Sequence, residues 1–313
     1  MVVTHGMPRP GRGRGAMTIG NFDGVHLGHQ AMLSRVVAEA RRTGLAAGLL
    51  TFEPHPREFF APARAPARLS RMREKFEQFA AAGLDWVHVA RFDARFAALS
   101  PARFLDEVLL KGLEMAWLLV GQDFRYGAKR AGDYAALEAA SRLRGFGLEA
   151  MPDVQVAGRR ASSSSVREAL ERGDFARAEA LLGRPYGVSG RVVRGARLGR
   201  ELGFPTANLR LPHRPPLGGI YVVEVQGARP ASPQAWLPGV ASYGRRPTVN
   251  ALAEPLLEVH LFDFDDELYG RHLRVRFRDK LRDEEKYADL DALRAAIARD
   301  ARRALDYFAK HHD

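Results

Sequence analysis

Two histidines, His26 and His29, stand three residues apart in a glycine-rich stretch that follows an apolar run and precedes a stretch with helical spacing. Backbone N–H groups at a helix start, together with the helix dipole, favour phosphate binding. Residues three apart share a helix face, and two imidazoles beside a triphosphate can donate hydrogen bonds to the charge that develops on a leaving group. The pattern favours a nucleotide site over a tight turn with two surface histidines, and a metal site lacks a third nearby ligand.

A run of four serines, Ser162–Ser165, precedes a predicted helix that carries Arg167 in its first turn. Small hydroxyls at a helix start can cap the helix and donate to phosphate. An arginine in the first turn adds a guanidinium fork for the same anion. Taken alone, the serine run equally fits an ordinary helix cap or a flexible linker.

A second candidate phosphate site lies in the Gly- and Arg-rich stretch that begins at Gly190. Its glycines permit a loop whose N–H groups wrap a phosphate chain, although the Gly-Lys-Ser/Thr ending of a Walker A motif is absent. Downstream, Thr206 and Asn208 offer neutral oxygens two residues apart, which share one side of an extended segment. They can share one Mg²⁺, because nucleotide oxygens and water normally complete the shell of that ion.

A carboxylate, Glu258, lies in a run that alternates as a strand does. On a strand, Glu258, His260 and Phe262 share one face, while the leucines and the valine between them fill the other. Alone, this alternation is typical of a solvated, outward glutamate.

The elements that must position these residues change in character near residue 185. Before it, apolar strands, the last of them at 148–156, alternate with amphipathic helices, which predicts a parallel sheet covered on both faces. After it, strand-like runs follow one another closely with turn residues between them, at 187–193, 220–225, 235–241, 256–262 and 272–277. This predicts an antiparallel barrel, and a helix at about 290–310 closes the chain. We therefore expect an α/β chain with domains at 1–185 and 186–313.

Length and composition limit the classes of protein that fit. A chain of 313 residues suggests about two domains, and 46% hydrophobic with 27% charged residues is ordinary globular composition. The absence of cysteine excludes disulfides, thiolate zinc sites and cysteine nucleophiles. No apolar run approaches the roughly 20 residues of a membrane span, and residues 1–15 lack the apolar core of a secretory signal, so we expect a cytoplasmic protein. The net charge of +11 keeps a nucleic-acid-binding protein as a distant alternative.

Several segments, in this order, resemble motifs of the bacterial bifunctional riboflavin kinase/FAD synthetases. Residues 20–29 look like the family's nucleotidyltransferase signature, and residues 51–56 look like its flavin-side loop. Residues 120–127 resemble its Gly-x-Asp/Asn-Phe-x-Phe-Gly segment, and residues 162–167 resemble its Ser-Ser-Thr-x-Ile-Arg motif. Residues 205–208 match its Pro-Thr-Ala-Asn motif intact.

The resemblance implies a Rossmann-like nucleotidyltransferase domain followed by a riboflavin kinase barrel, and it implies roles for individual residues. In adenylyl transfer, the catalytic residues would be His26, His29 and Arg167. The nucleotide would contact Gly20, Phe22, Asp23, Gly24, Asp123, Ser163 and Ser164, and the flavin would contact Phe52, Pro54 and Pro56. In the kinase, Gly195 and Gly199 would contact the nucleotide, Thr206 and Asn208 would hold Mg²⁺, and Glu258 would act as base on the ribityl 5′-hydroxyl, a task that suits a carboxylate within hydrogen-bond reach.

The implied function is phosphorylation of riboflavin to FMN by ATP, followed by adenylylation of FMN to FAD with release of pyrophosphate. Its partners would be riboflavin, FMN, ATP and Mg²⁺, with no nucleic acid and no membrane, and weak self-association stays open. Three residues depart from the family pattern: Tyr126 replaces Phe, Ser164 replaces Thr, and Ser242 replaces Asn. Ser242 leaves a single-activity flavin enzyme with one degenerate domain as the alternative.

Overall fold

The computed structural model of the protein describes residues 1–11, 13–195, 198–244 and 256–311. Parts of two segments named above, residues 196–197 of the Gly- and Arg-rich stretch and residues 245–248 beyond Ser242, lie outside the described residues. The chain divides into two compact units. Met1–Pro66 and Met72–Ser162 form the first, and Ala67–Arg71 and Ser163–Asp313 form the second. The domain boundary at residue 185 stays a prediction.

The first unit contains a six-stranded parallel sheet, as the alternation of strands and helices predicts. Its strands are β1 (Val2–His5), β2 (Gly15–Ile19), β3 (Ala46–Glu53), β4 (Trp86–Arg91), β5 (Met115–Gly121) and β6 (Gly147–Met151). The strand order is β1-β4-β3-β2-β5-β6, and every neighbouring pair is parallel. Such sheets are buried on both faces, which explains their near-continuous apolar runs.

Helices cover this sheet and create two hydrophobic cores. They are α1 (Leu27–Thr43), α2 (Pro56–Phe60), α3 (Met72–Ala81), α4 (Ala94–Ala97), α5 (Pro101–Arg103), which continues as a π-helix over Phe104–Gly112, and α6 (Tyr134–Arg144), with 3₁₀ turns at Pro62–Arg64 and Ala128–Arg130. Consecutive residues of one strand enter different cores: Leu118 packs with the π-helix and α6, and Leu119 packs with α1 and α3. The parallel layered fold is therefore confirmed.

The order of the strands determines where a ligand can bind. From β2 the chain moves outward through β3 and β4, and it then crosses to the other side of β2 to form β5. In open α/β sheets, the crevice at the carboxyl ends of the two strands at such a reversal is the usual ligand site. The residues that follow β2 and β5 are therefore the ones to inspect.

Two local features of the first unit differ from the sequence prediction. Strand β1 was not predicted, because its four residues precede a Gly- and Pro-rich stretch without periodicity. In the structure it pairs with β4, and Thr4 Oγ1 lies 2.8 Å from the Nδ1 atom of buried His88. The predicted strand 148–156 ends at Met151, because Pro152 follows and lacks the N–H that the ladder needs. Beyond it, β7 (Gln155–Val156) and β8 (Arg159–Arg160) form a small hairpin.

The second unit contains the predicted antiparallel barrel, which is closed. Its strands are β9 (Gly187–Val193), β10 (Ala207–Arg210), β11 (Gly219–Gln226), β12 (Trp236–Tyr243), β13 (Leu256–Leu261) and β14 (His272–Arg282). They follow the order β10-β13-β12-β11-β14-β9 around the barrel. Five of these strands match predicted runs, and β10 lies inside the segment expected to be extended around Asn208.

The helices of the second unit are α7 (Ser163–Glu171), α8 (Phe175–Leu182), α9 (Leu198–Glu201) and α10 (Leu290–Lys310). The last is the predicted closing helix, and it begins where Asp289 accepts a hydrogen bond from Ala292 N–H. Its small residues Ala301 and Ala304 pack against Val222 and Val240 of the barrel, whereas Leu305 is 46% exposed. Among the described residues, no helix is long and apolar enough to span a membrane.

Candidate functional sites in the two units

In the first unit, a cleft of about 230 Å³ opens where β2 and β5 end. Five of the residues predicted for the nucleotide site line it: Gly20, Phe22, His26, His29 and Asp123. Asp23 and Gly24 lie in the same loop, where Asp23 is buried and Gly24 has a left-handed φ of 83°. The strand reversal therefore brings together residues that are about a hundred positions apart in the chain.

The loop after β2 is tightly constrained, which accounts for its glycines. A β-carbon on Gly20 would lie 2.9 Å from the ring of Phe22, and one on Gly28 would lie 3.1 Å from the ring of His26. Phe22 and Val25 themselves have left-handed φ values of 48° and 42°, which side chains adopt only at some cost. Such strain persists only where neighbouring contacts hold the backbone.

The two histidines form a stacked pair at the start of α1. Their ring centroids lie 3.7 Å apart at an interplanar angle of 21°, and His26 Nδ1 caps the helix by accepting from His29 N–H at 3.4 Å. Burial, followed by the positive charges of His26 and Lys75, holds the pKa of His29 well below its usual value of 6.5. His29 is therefore neutral near pH 7, and its buried Nδ1 has no hydrogen-bond partner among the described residues. A neutral imidazole still donates one hydrogen bond.

The structure adds Arg160, on β8, to the lining of the same cleft. Its guanidinium lies 3.2 Å from Asp123 and 3.0 Å from Asp153. The sequence analysis did not predict Arg160 as a site residue, because the predicted phosphate site consisted of the serine run and the helix that follows it. Two adjacent arginines that end one residue before the serine run were the sequence signal for an anion site.

The serine run itself is divided between the units. Ser162 lines the cleft of the first unit, whereas Ser163 and Ser164 form the first turn of α7 in the second. Arg167 also lies on α7, and its Nε donates to the Ala67 carbonyl at 2.6 Å. The structure therefore places three of the predicted phosphate ligands on one short helix, and their contact with a nucleotide stays a prediction.

The predicted flavin-side loop carries an exposed aromatic group. Phe52 is at the end of β3, Pro54 follows, and Pro56 opens α2, which His55 caps. We define the aromatic patch as Phe52, Phe59, Phe60 and Phe92. The ring centroids of the first three lie 5.7–5.8 Å from that of Phe92. Phe60 is 67% exposed. The sequence analysis did not predict Phe59 or Phe60 as site residues, although two adjacent phenylalanines in so short a helix indicate an exposed aromatic surface.

In the second unit, the barrel holds a cavity of about 440 Å³ lined by Thr206, Asn208, Ser242 and Glu258, with Gly199 at its edge. Asn208 on β10 is directly opposite Glu258 on β13, and Glu258 is directly opposite Ser242 on β12. Residues opposite each other on antiparallel strands have β-carbons about 5 Å apart. The structure thus forms one row of polar side chains across three strands.

Glu258 faces this cavity while its strand neighbours Leu257 and Val259 are buried, as the alternation predicts. Loss of hydration and the negative charge of Glu284, on the same cavity, raise the pKa of Glu258 above its usual 4.5. A carboxylate with a raised pKa is a stronger base, because it holds an accepted proton more tightly.

A second, smaller cavity of about 230 Å³ adjoins the first at Thr206, which lines both. Its other polar lining comes from Arg200 and from the loop that carries Asp265, Asp266 and Glu267. The barrel therefore provides two neighbouring compartments that meet at Thr206, and Asn208 lines the larger one.

The glycines of the predicted phosphate loop have a steric reason to be there. A β-carbon on Gly195 would come within 2.6–2.7 Å of the amide group of Asn208. One on Gly199 would lie 2.5 Å from the Phe204 carbonyl oxygen. At both positions, glycine lets the loop approach the residues that line the cavity.

The side chains at this junction fit a magnesium ion. The described residues hold no cluster of three or more His, Cys, Asp or Glu that could bind a metal on its own. The Asn208 amide nitrogen faces the Thr206 carbonyl at 3.5 Å, which leaves its Oδ1 as the atom for a cation. Hydroxyl and amide oxygens suit Mg²⁺, which takes most of its ligands from water and from nucleotide phosphates.

Comparison with known proteins identifies a family for each part of the chain. The FAD synthetase family matches residues 11–165, and the riboflavin kinase family matches residues 182–308. The chain is 47% identical over 293 residues to a bifunctional riboflavin kinase/FMN adenylyltransferase of Escherichia coli K12, covering 93% of this chain and 92% of that one. The proteins of the same description from Pseudomonas fluorescens (47%, 92% of each chain) and Haemophilus influenzae (44%, 94% of each chain) are similar.

A solved structure of a macrolide-efflux protein from Streptococcus pneumoniae has a TM-score of 0.81 to this chain and 24% identity, over the whole of both chains. At that identity the likeness shows the fold alone. The matches to both families and the identity to the full-length relatives, in contrast, establish kinship across nearly the whole sequence. The chain belongs to the family of bifunctional riboflavin kinase/FMN adenylyltransferases.

Proposed function

We propose that this chain converts riboflavin to FAD in two steps that both consume ATP, first as a riboflavin kinase and then as an FMN adenylyltransferase. Family membership over nearly the whole chain supports both activities. The observation that carries the proposal is that each unit has its own cavity, lined by the motif of one of the two reactions.

In the kinase step, the ribityl 5′-hydroxyl oxygen attacks the γ-phosphorus of ATP. An O–P bond forms, the bond from that phosphorus to the β–γ bridging oxygen breaks, and ADP leaves. Glu258 accepts the hydroxyl proton, a task that its raised pKa favours. The two adjoining cavities support this assignment, because a flavin in the larger one and a nucleotide in the smaller one would meet at Thr206.

Thr206 and Asn208 would hold Mg²⁺ against the ATP phosphates, where the ion neutralises their charge. Gly195 keeps the loop close to Asn208, and Gly199 keeps it close to Thr206. Ser242 stands opposite Glu258 and is shorter than the family's Asn. A hydroxyl at this point can still hydrogen bond, so the kinase retains a polar group in this row.

In the adenylyl-transfer step, a phosphate oxygen of FMN attacks the α-phosphorus of ATP. The bond from that phosphorus to the α–β bridging oxygen breaks, and pyrophosphate leaves. His26 and His29 would donate to the charge that develops on pyrophosphate. Arg160, held between two carboxylates on the cleft wall, adds a cation that phosphate oxygens can engage.

The predicted nucleotide contacts of Gly20, Phe22, Asp23, Gly24, Asp123, Ser163, Ser164 and Arg167 belong to this step. The flavin ring would lie on the aromatic patch beside Pro54 and Pro56, since exposed rings offer a stacking surface to an isoalloxazine.

Labelled ATP tests both steps at once. With riboflavin, Mg²⁺ and ATP labelled at the γ-phosphorus, the label should appear in FMN and in FAD. With ATP labelled at the α-phosphorus, it should appear in FAD and not in FMN. FMN without FAD, or FAD only when FMN is supplied, would instead identify a single-activity enzyme.

The other partners follow from the same proposal. We expect the ligands to be riboflavin, FMN, ATP and Mg²⁺, and the reaction to take place in the cytoplasm. A nucleic-acid-binding protein would show salt-sensitive DNA or RNA binding and no flavin turnover. Weak self-association stays a prediction that sedimentation can test.

A further inference from the structure

A buried lysine lies beneath the loop that carries the two histidines. Lys75 on α3 is 3% exposed, and its ammonium donates to the Asn21 carbonyl at 2.8 Å. One turn further along the same face of α3, the ring of Phe79 packs edge-on against Phe22 at 5.7 Å. Helix α3 therefore supports the loop at two successive residues, once through a cation and once through a ring.

The supported segment is the strained part of the loop. Phe22, Gly24 and Val25 all have left-handed φ values, and they follow directly on the carbonyl that Lys75 holds. A backbone in this conformation needs contacts that fix it. Without the hydrogen bond from Lys75, the Asn21 carbonyl loses a charged donor. The left-handed backbone at Phe22, Gly24 and Val25 then loses support.

The same ammonium also acts on the chemistry of the cleft. Its charge is one cause of the lowered pKa of His29, after burial and the charge of His26. The other charged groups lining the cleft are Asp123, Asp153 and Arg160, which pair with one another. Within the part of the chain that the structure describes, His29 Nδ1 and Asn21 Oδ1 are buried without hydrogen-bond partners, so this loop holds polar atoms that a bound ligand would satisfy.

We propose that Lys75 is a positioning residue for adenylyl transfer, whose buried ammonium fixes the loop that carries His26 and His29. The inference rests on the proposed adenylyl transfer by this cleft. It predicts an effect on the rate of the chemical step, because the histidines act on charge that exists only in the transition state.

Three variants separate the two contributions of this side chain. Lys75→Met removes the donor and the charge, Lys75→Gln keeps a neutral donor, and Lys75→Arg keeps both. Lys111→Met, at an exposed lysine of the same unit, is the matched control. Riboflavin phosphorylation measures the second unit and reports general damage to the chain.

The first measurement is kcat and KM for FAD formation from FMN. Lys75→Met should lower kcat about 10- to 100-fold, the scale of a misplaced catalytic group, while KM for FMN and riboflavin phosphorylation stay near the wild-type values. Lys75→Gln should retain more of kcat than Lys75→Met, and Lys75→Arg should retain the most. A folded Lys75→Met or Lys75→Gln variant with wild-type kcat would overturn the proposal.

The second measurement is the NMR titration of His29, with its resonance assigned by its loss in His29→Gln. Its pKa should rise in Lys75→Met and in Lys75→Gln, because a repelling charge is removed, and it should stay low in Lys75→Arg and in Lys111→Met. An unchanged titration in both neutral variants would overturn the electrostatic role whatever the activity. If wild-type protein made no FAD while this pattern held, the proposed function would fail and the role of Lys75 in positioning His29 would stand.

Discussion

Asn208 and Glu258 are directly opposite each other on the neighbouring antiparallel strands β10 and β13. This pairing joins two motifs that lie fifty residues apart in the chain, one predicted to hold Mg²⁺ and the other to supply a base. Register in a sheet cannot slip by one residue without moving every side chain to the opposite face. The buried neighbours of both residues, Leu209 and Leu257, therefore hold the two polar groups on the same face.

Replacement of the proposed base should separate the two activities. Glu258→Gln keeps the size of the side chain and removes the proton acceptor, so we expect FMN formation to fall about 100-fold or more. FAD formation from supplied FMN should continue at the wild-type rate. Glu171→Gln, at an exposed position on α7, is the control and should leave both rates unchanged. Undiminished FMN formation in Glu258→Gln would show that another group takes the proton.

The pH dependence of the kinase should reflect the pKa of Glu258. The reaction needs the carboxylate, and this pKa lies above 4.5 because of lost hydration and the charge of Glu284. The acid limb of kcat/KM for riboflavin should therefore lie above pH 4.5. Glu284→Gln removes the like charge and should move that limb to lower pH. A limb that stayed in place in the variant would contradict the proposed influence of Glu284.

The steric role of Gly195 gives a test of the phosphate loop. A β-carbon there would collide with the amide of Asn208, so Gly195→Ala should displace that amide. We expect riboflavin phosphorylation to fall roughly tenfold or more, in line with the misplacement of a group that orients substrate. FAD formation from FMN serves as the internal control, since the first unit does not contain this loop. Kinase activity at the wild-type level would show that Asn208 tolerates displacement.

The aromatic patch predicts a binding effect without a chemical one. Phe60→Ser should raise KM for FMN in adenylyl transfer about 3- to 10-fold, the scale of one lost aromatic contact, with kcat nearly unchanged. Leu143→Ser is the matched control, because Leu143 is a comparably exposed apolar residue of the same unit. An equal change in both variants would mean that exposed apolar area, and not flavin stacking, determines the result.

The half-buried His29 should make the first unit sensitive to acid. Its pKa in the folded chain lies well below the usual 6.5, so the unfolded chain binds the proton more tightly. The stabilising contribution is therefore present above about pH 6.5 and is lost as the pH falls toward the folded value. Urea denaturation in a Trp236→Phe background, where Trp86 and Trp117 report the first unit, should show this loss. His29→Gln should lose less stability over the same range; an equal loss would locate the sensitivity elsewhere.

The sequence predicted most of the fold because its patterns are local. The parallel sheet follows from apolar runs that alternate with amphipathic helices, and the barrel follows from closely spaced strands. Strand β1 could not be predicted, because four residues carry too little periodicity. Its place beside β4 depends on a contact with His88, more than eighty residues away. The end of β6 at Met151 could have been read from Pro152.

The sites were predicted less completely than the fold. Motifs indicated His29, Asn208 and Glu258, which the structure places on cavities. The contributions of Lys75 and Arg160 come from elements outside those motifs. A lysine in the middle of an amphipathic helix is usually solvated, so only the packing of α3 beneath the loop after β2 reveals its burial.

Two independent sites, one in each unit, are proposed to perform successive steps, and mixing variants that each lack one activity tests this proposal. Glu258→Gln should make FAD from FMN only, and His29→Gln should make FMN from riboflavin only, so neither alone should convert riboflavin to FAD. Mixed with riboflavin, ATP and Mg²⁺, the two variants should restore FAD formation, because FMN released by one is the substrate of the other. FAD formation from riboflavin at the wild-type rate by either variant alone, or no FAD from a mixture in which each variant retains its own half-reaction, would show that the two steps do not use separate sites.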